Sequence, residues 1–383
     1  MGRVWRVVVR LQGQFQEPTS VSAGPGVDLQ SLVLVVCLTA AQRSPRKFYE
    51  GGGVLPFKPS CCVRPLSFIF PRFCNDRLVP ASMKRQYPSY PATFIAESRV
   101  LEELVLRAPS FRGHIPVLAS LCRLLPFSTR ARMQIGMANF PMDLGYPTHL
   151  SCFKIQQYEP LESLLVHRTL GVGDWFFDLG ANWGYFSALA SRCVGLSGKV
   201  LAVEANPVTF RALEKMLGGS GAANVQAINC AVSDRDLQPV TFSESRLRSD
   251  AFGHIGDGGL LDRRHEVQSR TLDSLWTDVG RPSVRMLKID VEGMEPKVLA
   301  GARACVSEGV SHSVLVEIND WTPQRCGEPY EACYELMQAY GFAHAYEPTD
   351  EGYNRISGAV AKLPVNKTIL FTRAPFFDAE LVV

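Results

Sequence analysis

Phe176-Phe177-Asp178-Leu179-Gly180-Ala181-Asn182-Trp183-Gly184 reads as a short apolar strand that runs into a glycine-rich loop. Residues 175–179 have the length and composition of a buried strand, and residues 185–194 have helical spacing. Glycine at 180 and 184 lets the loop backbone come close to a ligand. Glu204 follows Gly184 by twenty residues and ends a second strand, 199–204. A carboxylate at that place accepts both ribose hydroxyls of a nucleoside.

The pattern continues outward from this stretch. Strands are expected at 225–230, 284–290, 314–318, 342–346 and 368–372, and helices at 207–217, 295–305 and 330–340. Alternating strands and helices imply an α/β fold with a mostly parallel sheet covered by helices on both faces. In such sheets, ligands bind beyond the carboxyl ends of the strands. Residues 242–265 are polar and glycine-rich, and they read as an inserted loop or lid that carries His254 and His265.

The chemistry at those strand ends selects the nucleoside. A dinucleotide brings a pyrophosphate and favours Gly-x-Gly-x-x-Gly at a helix start. The loop here has another spacing and begins with Asp178, which a pyrophosphate would repel. A nucleoside with a cationic end, S-adenosylmethionine, suits Asp178. Asp178 alone can also be read as a helix cap. Ser233 and Asp234 follow the third strand, where a side chain reaches an adenine amino group, or where Asp234 forms an ordinary turn. The fourth strand ends in Lys288-Ile289-Asp290-Val291-Glu292-Gly293-Met294-Glu295. Asp290 falls at the crevice. Lys288 shares its face and needs an acidic partner if buried. Glu295 reads as a helix cap.

These pieces together resemble the FkbM-type methyltransferases. The matching motifs are Tyr158-Glu159-Pro160, the run from Gly173 to Tyr185, Val203-Glu204-Ala205-Asn206-Pro207, Ala231-Val232-Ser233-Asp234, Arg270-Thr271-Leu272-Asp273, Lys288 to Glu295, and Glu317-Ile318. They cover residues 158–319, about two fifths of the chain. Ala205 stands where the family often has Pro, and Trp183 where a smaller apolar residue is common. The resemblance implies a class I methyltransferase (Rossmann-like) sheet of seven strands, in the order 3-2-1-4-5-7-6, with the last strand antiparallel. It implies S-adenosylmethionine as cofactor, and transfer to a hydroxyl of a sugar or other small molecule. The donor would be held by Asp178, Gly180, Asn182, Gly184, Glu204, Asn206, Ser233 and Asp234.

A hydroxyl acceptor needs a base. Asp290 is the first candidate and Glu292 the second. A metal route through Asp290, Glu317 and Asn319 is the lesser alternative, so no metal is expected. A nicotinamide-dependent oxidoreductase and an inactive protein of the same fold are the rival readings. The loop spacing opposes the first, and the presence of all the acidic anchors opposes the second.

The rest of the chain bounds these readings. The 383 residues allow a large domain plus extras, and a net charge of +3 gives no sign of nucleic-acid binding. Residues 1–82 hold ten Lys and Arg against four Asp and Glu, lack a sustained hydrophobic period, and read as a disordered extension, with Met83 as the natural start. Residues 83–170 read as helices at 97–106, 116–125 and 160–170 with a hairpin, 133–137 and 140–144, joined at Ala138-Asn139; residues 171–383 read as the methyltransferase domain. The apolar run 29–41 is too short to span a membrane. Eleven scattered cysteines without a Cys-x-x-Cys pair fit reduced thiols in a cytoplasmic protein.

Overall fold

The computed structural model describes residues 92–108, 114–124, 129–220, 222–244, 253–255, 263–349, 352–356 and 364–375. All of them belong to the second of the two units into which the chain divides, residues 71–383. The expectations for residues 1–82 lie outside the described residues.

The chain begins with β1 (Thr93–Ala96), α1 (Arg99–Arg107), α2 (His114–Leu124), β2 (Arg130–Ile135), β3 (Ala138–Asp143), α3 (Pro147–Ile155) and α4 (Pro160–Thr169). Ser98 caps α1 by accepting the Leu101 N–H at 3.3 Å, and the helix buries Leu101 and Val105. β1, β2 and β3 form an antiparallel meander. The hairpin turns at Gly136-Met137, two residues before the expected Ala138-Asn139. The tight turn needs positive φ, and Gly136 supplies it at +57°. Pro141 lies on β3, at the meander's edge, where a missing N–H is tolerated. β1 and α3 had no sequence expectation.

The larger part follows as β4 (Trp175–Leu179), α5 (Tyr185–Val194), β5 (Lys199–Glu204), α6 (Pro207–Ser220), β6 (Val225–Asn229), β7 (Ala231–Val232), β8 (Pro239–Glu244), β9 (Gly253–Ile255), β10 (Arg263–Arg270), α7 (Leu272–Asp278), β11 (Val284–Ile289), α8 (Glu295–Ala300), a π-turn (Cys305–Gly309), β12 (Val310–Ile318), α9 (Thr322–Cys326), α10 (Glu331–Ala339), β13 (His344–Thr349), β14 (Gly352–Arg355) and β15 (Lys367–Thr372). The main sheet has eight strands rather than seven, ordered β14-β13-β15-β12-β11-β4-β5-β6. The extra strand, β14, pairs antiparallel with the edge strand β13. β6, β5, β4, β11 and β12 run parallel, and β15 enters antiparallel to β12.

Successive residues of each central strand feed opposite cores, as the strand period of two requires. Phe176, Val200, Ala202, Met286 and Leu315 join the core shared with β1–β3 and α1–α5. Phe177, Leu201, Val203, Leu287 and Val316 join the core under α7, α8 and α10. Residues 92–170 therefore cover one face of the sheet.

The lid expectation is corrected at both ends. β8 and β10 pair antiparallel from Glu244↔Arg263 to Pro239↔Gln268, and with β7 and β9 they form a second sheet of four strands. His265 sits opposite Phe242 within this ladder, so it is not on a mobile loop. Residues 245–252 and 256–262 of that stretch lie outside the described residues. The helix expected at 295–305 stops at Ala300 and resumes as the π-turn. Among the described residues, no helix is long and apolar enough to cross a membrane, and the seven described cysteines are free thiols.

Candidate active site

The carboxyl ends of β4, β5, β11 and β12 converge on one acidic crevice. Gly180 turns the chain there with φ +80°, and a Cβ on it would stand 1.8 Å from the Asp290 carbonyl oxygen. That contact keeps the loop after β4 against the loop after β11. At Gly184, φ is +95°, and a Cβ would meet Met216 and Leu213 of α6 within 2.5 Å. Both positions therefore require glycine.

Glu204 ties two loops together. Its Oε2 accepts the Asn182 N–H at 2.8 Å, and its Oε1 accepts the Asn206 N–H at 2.8 Å. Each oxygen keeps a lone pair for a further donor. Burial pushes the Glu204 carboxyl up to about 7, against the pull of those two backbone N–H groups. Asn206 Oδ1 accepts the Val208 N–H at 2.9 Å and starts α6. The Asn206 Nδ2 is buried without a partner among the described residues.

Asp178 is 1 % exposed. Ser187 Oγ donates to its Oδ2 at 2.6 Å, while Oδ1 is buried without a hydrogen-bond partner. Burial raises its carboxyl above the usual range, and Lys288 and Ser187 pull it back. The Ser187 backbone N–H, in the first turn of α5, also favours the Asp178 carboxylate, in line with the capping alternative, and Asp178 still has an oxygen left for a cationic or hydrogen-bonding group. Ser233 and Asp234 follow β7, with Ser233 Oγ donating to Asp234 Oδ1 at 3.0 Å.

Lys288 is 4 % exposed and pairs with Asp290, Nζ to Oδ2, at 2.7 Å. The ammonium also lies 4.8 Å from the centre of the Phe186 ring. Burial alone would neutralise Lys288, but Asp290, Glu159 and Asp178 more than offset it and raise its affinity for the proton. Burial likewise opposes ionisation of Asp290, and Lys288 with a hydrogen bond from Glu317 outweighs it, so the carboxyl is held below the usual range. Glu317 is pushed well up, first by burial and then by Asp290. Glu292 has φ +58°, and Arg325 reaches its carboxylate at 3.5 Å and its carbonyl oxygen. Burial and the nearby Asp290 raise the Glu292 carboxyl. Glu295 accepts the N–H groups of Gly293 at 3.0 Å and Val291 at 3.2 Å, so its carboxylate ties down the loop before α8 rather than capping the first-turn N–H groups of the helix.

The structure also brings in residues without an assigned role in the sequence reading. Glu159, with φ +41° before Pro160, and Glu162 project from the start of α4 toward Lys288. Both carboxyls are raised by burial. Trp183 stacks on His149 of α3 at 5.3 Å and meets Phe140 and Tyr158 edge-on. The Tyr158-Glu159-Pro160 triplet was the available signal for this wall, but only the fold shows that α4 faces the crevice. Asp290, Glu317 and Asn319 do come together, and Asn319 Nδ2 donates to Glu317 Oε1 at 3.3 Å. Among the described residues, no group of three or more His, Cys, Asp or Glu is arranged to hold a metal ion.

Residues 178–343 match the family model of the methyltransferase FkbM domain. This stretch carries the methyltransferase FkbM domain. The matched stretch runs from the end of β4 to the residue before β13 and includes every acidic group of the crevice except Glu159 and Glu162. Among curated proteins, a protein-L-isoaspartate O-methyltransferase of Methanococcus maripaludis strain C6 is 31% identical over 99 residues, 24% of this chain and 47% of the relative. Its counterpart from a second strain is 26% identical over 144 residues, 35% of this chain and 65% of the relative. The chain thus spans about half to two thirds of the length of these relatives. Among solved structures, the FkbM methyltransferase of Methylobacillus flagellatus aligns with 13% identity over 76% of this chain and 60% of its own, at a TM-score of 0.34. A Bacillus cereus O-methyltransferase aligns with 12% identity over 56% of this chain and 81% of its own, also at 0.34.

Proposed function

We propose that the FkbM-type domain binds S-adenosylmethionine in the loops after β4 and β5 and methylates a hydroxyl of a sugar or other small molecule. The observation that carries this reading is Glu204. It is fixed by two backbone N–H groups from the two loops, and both carboxylate oxygens keep acceptor capacity for a ribose. Asp178 adds a buried oxygen without a partner, which suits the cationic end of the donor. A pyrophosphate would be repelled there, so a nicotinamide dinucleotide fits these residues less well. Gly180, Asn182, Gly184 and Asn206 shape the same two loops, and Ser233 and Asp234 lie after β7 for the adenine.

When bound, the donor supplies a methyl carbon already activated by its sulfonium. The chain's own part is alignment and proton handling. Asp290 is ionised at neutral pH, and it accepts the acceptor's hydroxyl proton as transfer proceeds. Glu292 is the second candidate, held by Arg325 at the rim. The stacked Trp183 and His149 join the donor loop to residues 92–170, which together form the acceptor side.

Calorimetry with S-adenosylmethionine and with NAD tests the reading. The methionine nucleoside should bind and NAD should not. Glu204→Ala should weaken donor binding roughly ten- to hundredfold, the worth of hydrogen bonds to a charged group. Unchanged donor affinity in that variant would refute the site. Asp290→Asn should lower formation of S-adenosylhomocysteine with a panel of sugars more than it lowers donor affinity.

A further inference from the structure

The amino ends of β4 and β5 point away from the crevice, and the turns there hold apolar side chains out in solvent. Val172, in the turn before β4, is 81 % exposed, and Leu196, in the turn before β5, is 82 % exposed. The tip of the β2–β3 hairpin adds Met137 at 67 %. Among the described residues these are three of the five most exposed large apolar side chains, so they make a surface rather than a scatter. They are also neighbours. The Gly173 N–H donates to the Val194 carbonyl at 2.9 Å, which joins the two turns. Val172 Cγ1 lies 3.6 Å from where a side chain on Gly195 would begin, one residue before Leu196. The Arg192 guanidinium lies 3.7 Å from the same point on Gly136, one residue before Met137.

Basic side chains ring these tips. Arg168 and Arg192 stand in the last turns of α4 and α5, and Lys199 opens β5. Arg285, at the start of β11, donates from Nε to the Thr169 carbonyl at 3.3 Å. The acids of this pole are engaged or set back. Asp174 Oδ2 accepts the Gly171 N–H at 2.8 Å, and Asp278 is paired with Arg270 at 2.6 Å. Glu308 precedes β12, two strands away from β4.

We propose that this pole is a contact surface for a bilayer that carries anionic lipid. Val172, Leu196 and Met137 enter the acyl boundary, and the basic ring meets the headgroups. Binding of this kind grows with the apolar area that enters and with the charge attraction. RNA or DNA would engage the basic ring but leave the apolar tips in water, so the tips favour lipid. β4 is five residues long, so the crevice opens about 17 Å beyond the tips, on the side away from the bilayer. The domain is then held at a surface with its crevice facing the aqueous phase. The inference is independent of the donor and acceptor assignments.

Co-sedimentation of the whole chain with vesicles tests it. The protein should pellet with phosphatidylcholine vesicles that contain phosphatidylserine, stay in solution with pure phosphatidylcholine, and be released by salt. Val172→Ser combined with Leu196→Ser should weaken vesicle affinity by about tenfold or more. Arg192→Gln combined with Lys199→Gln should weaken it about fivefold per charge. Both double variants should melt as the wild type does, so that lost binding reports the surface and not the fold; if one melts lower, the other decides. Absence of binding to the phosphatidylserine vesicles overturns the proposal. Binding that survives both serines also overturns it, because the lipid contact then lies elsewhere in the chain. Retention on polyuridylic acid without vesicle binding would mark the basic ring as a nucleic-acid surface instead.

Discussion

Gly180 shows how a single residue decides whether the crevice forms. Its Cα lies so close to the loop after β11 that an added methyl group would stand 1.8 Å from backbone, the Asp290 carbonyl oxygen, which cannot swing aside as a side chain can. Its φ of +80° adds a conformational cost for any residue with a Cβ. Gly180→Ala should destabilise the protein by roughly 3 kcal/mol or more, from backbone strain and overpacking together. Urea unfolding measures this, and donor calorimetry should show lost affinity in whatever fraction stays folded. An alanine variant of wild-type stability would mean that the two loops do not touch. Gly184 is under a softer constraint, because its neighbours Met216 and Leu213 are flexible side chains.

Among the elements, the motif Arg270-Thr271-Leu272-Asp273 proves to be architectural. Thr271 caps α7 by accepting the Ser274 N–H at 3.1 Å. Arg270 pairs with Asp278 at 2.6 Å. Asp273 reaches across to the start of the π-turn, accepting the Cys305 N–H at 2.7 Å and the Ala304 N–H at 3.0 Å. Asp273→Ala should cost about 1–3 kcal/mol, because it strands two backbone donors, and should leave donor affinity unchanged in the folded protein. Thermal unfolding and calorimetry check the two halves of that statement. The motif was legible as a unit but not as a capping device, since its partners lie thirty residues downstream. β4, α5 and β5 were legible to the residue, because apolar runs bounded by glycine leave little choice. β8 and β10 were not. Their buried face rests on Phe242 and Val267, while Arg263, Arg264 and Glu266 make the stretch read as a polar loop. The acids proposed for the donor stood at strand ends and could be placed there by counting. Glu159 and Glu162 could not, because their approach to Lys288 depends on how α4 packs across the sheet.

For the whole molecule, the excess of buried acids sets a pH dependence with a definite sign. Burial is the main cause that raises the carboxyls of Asp178, Glu159, Glu162, Glu204, Glu292, Glu295 and Glu317. A carboxyl whose folded value is raised keeps its proton in the folded state after the unfolded chain has lost it. Its contribution to stability is full below about 4.5, the unfolded value, and is lost as pH rises through the folded value, about 7 for Glu204 and Glu295. Asp290 and Asp236 are lowered and work in the opposite sense, but their contribution is complete once pH exceeds the ordinary aspartate range. His167, lowered by burial, also opposes the trend, with a single proton. Each raised carboxyl contributes a slope of up to about 1.4 kcal/mol per pH unit, so the acids dominate between pH 5 and 8. The ligand-free protein should therefore melt several degrees lower at pH 8 than at pH 5.5. A cationic donor in the crevice would compensate the same charges and should flatten the slope. Scanning calorimetry at both pH values, with and without S-adenosylmethionine, reads both effects. A melting temperature that rises from pH 5.5 to pH 8 would show that these acids are ion-paired in solution rather than held against their charge by burial.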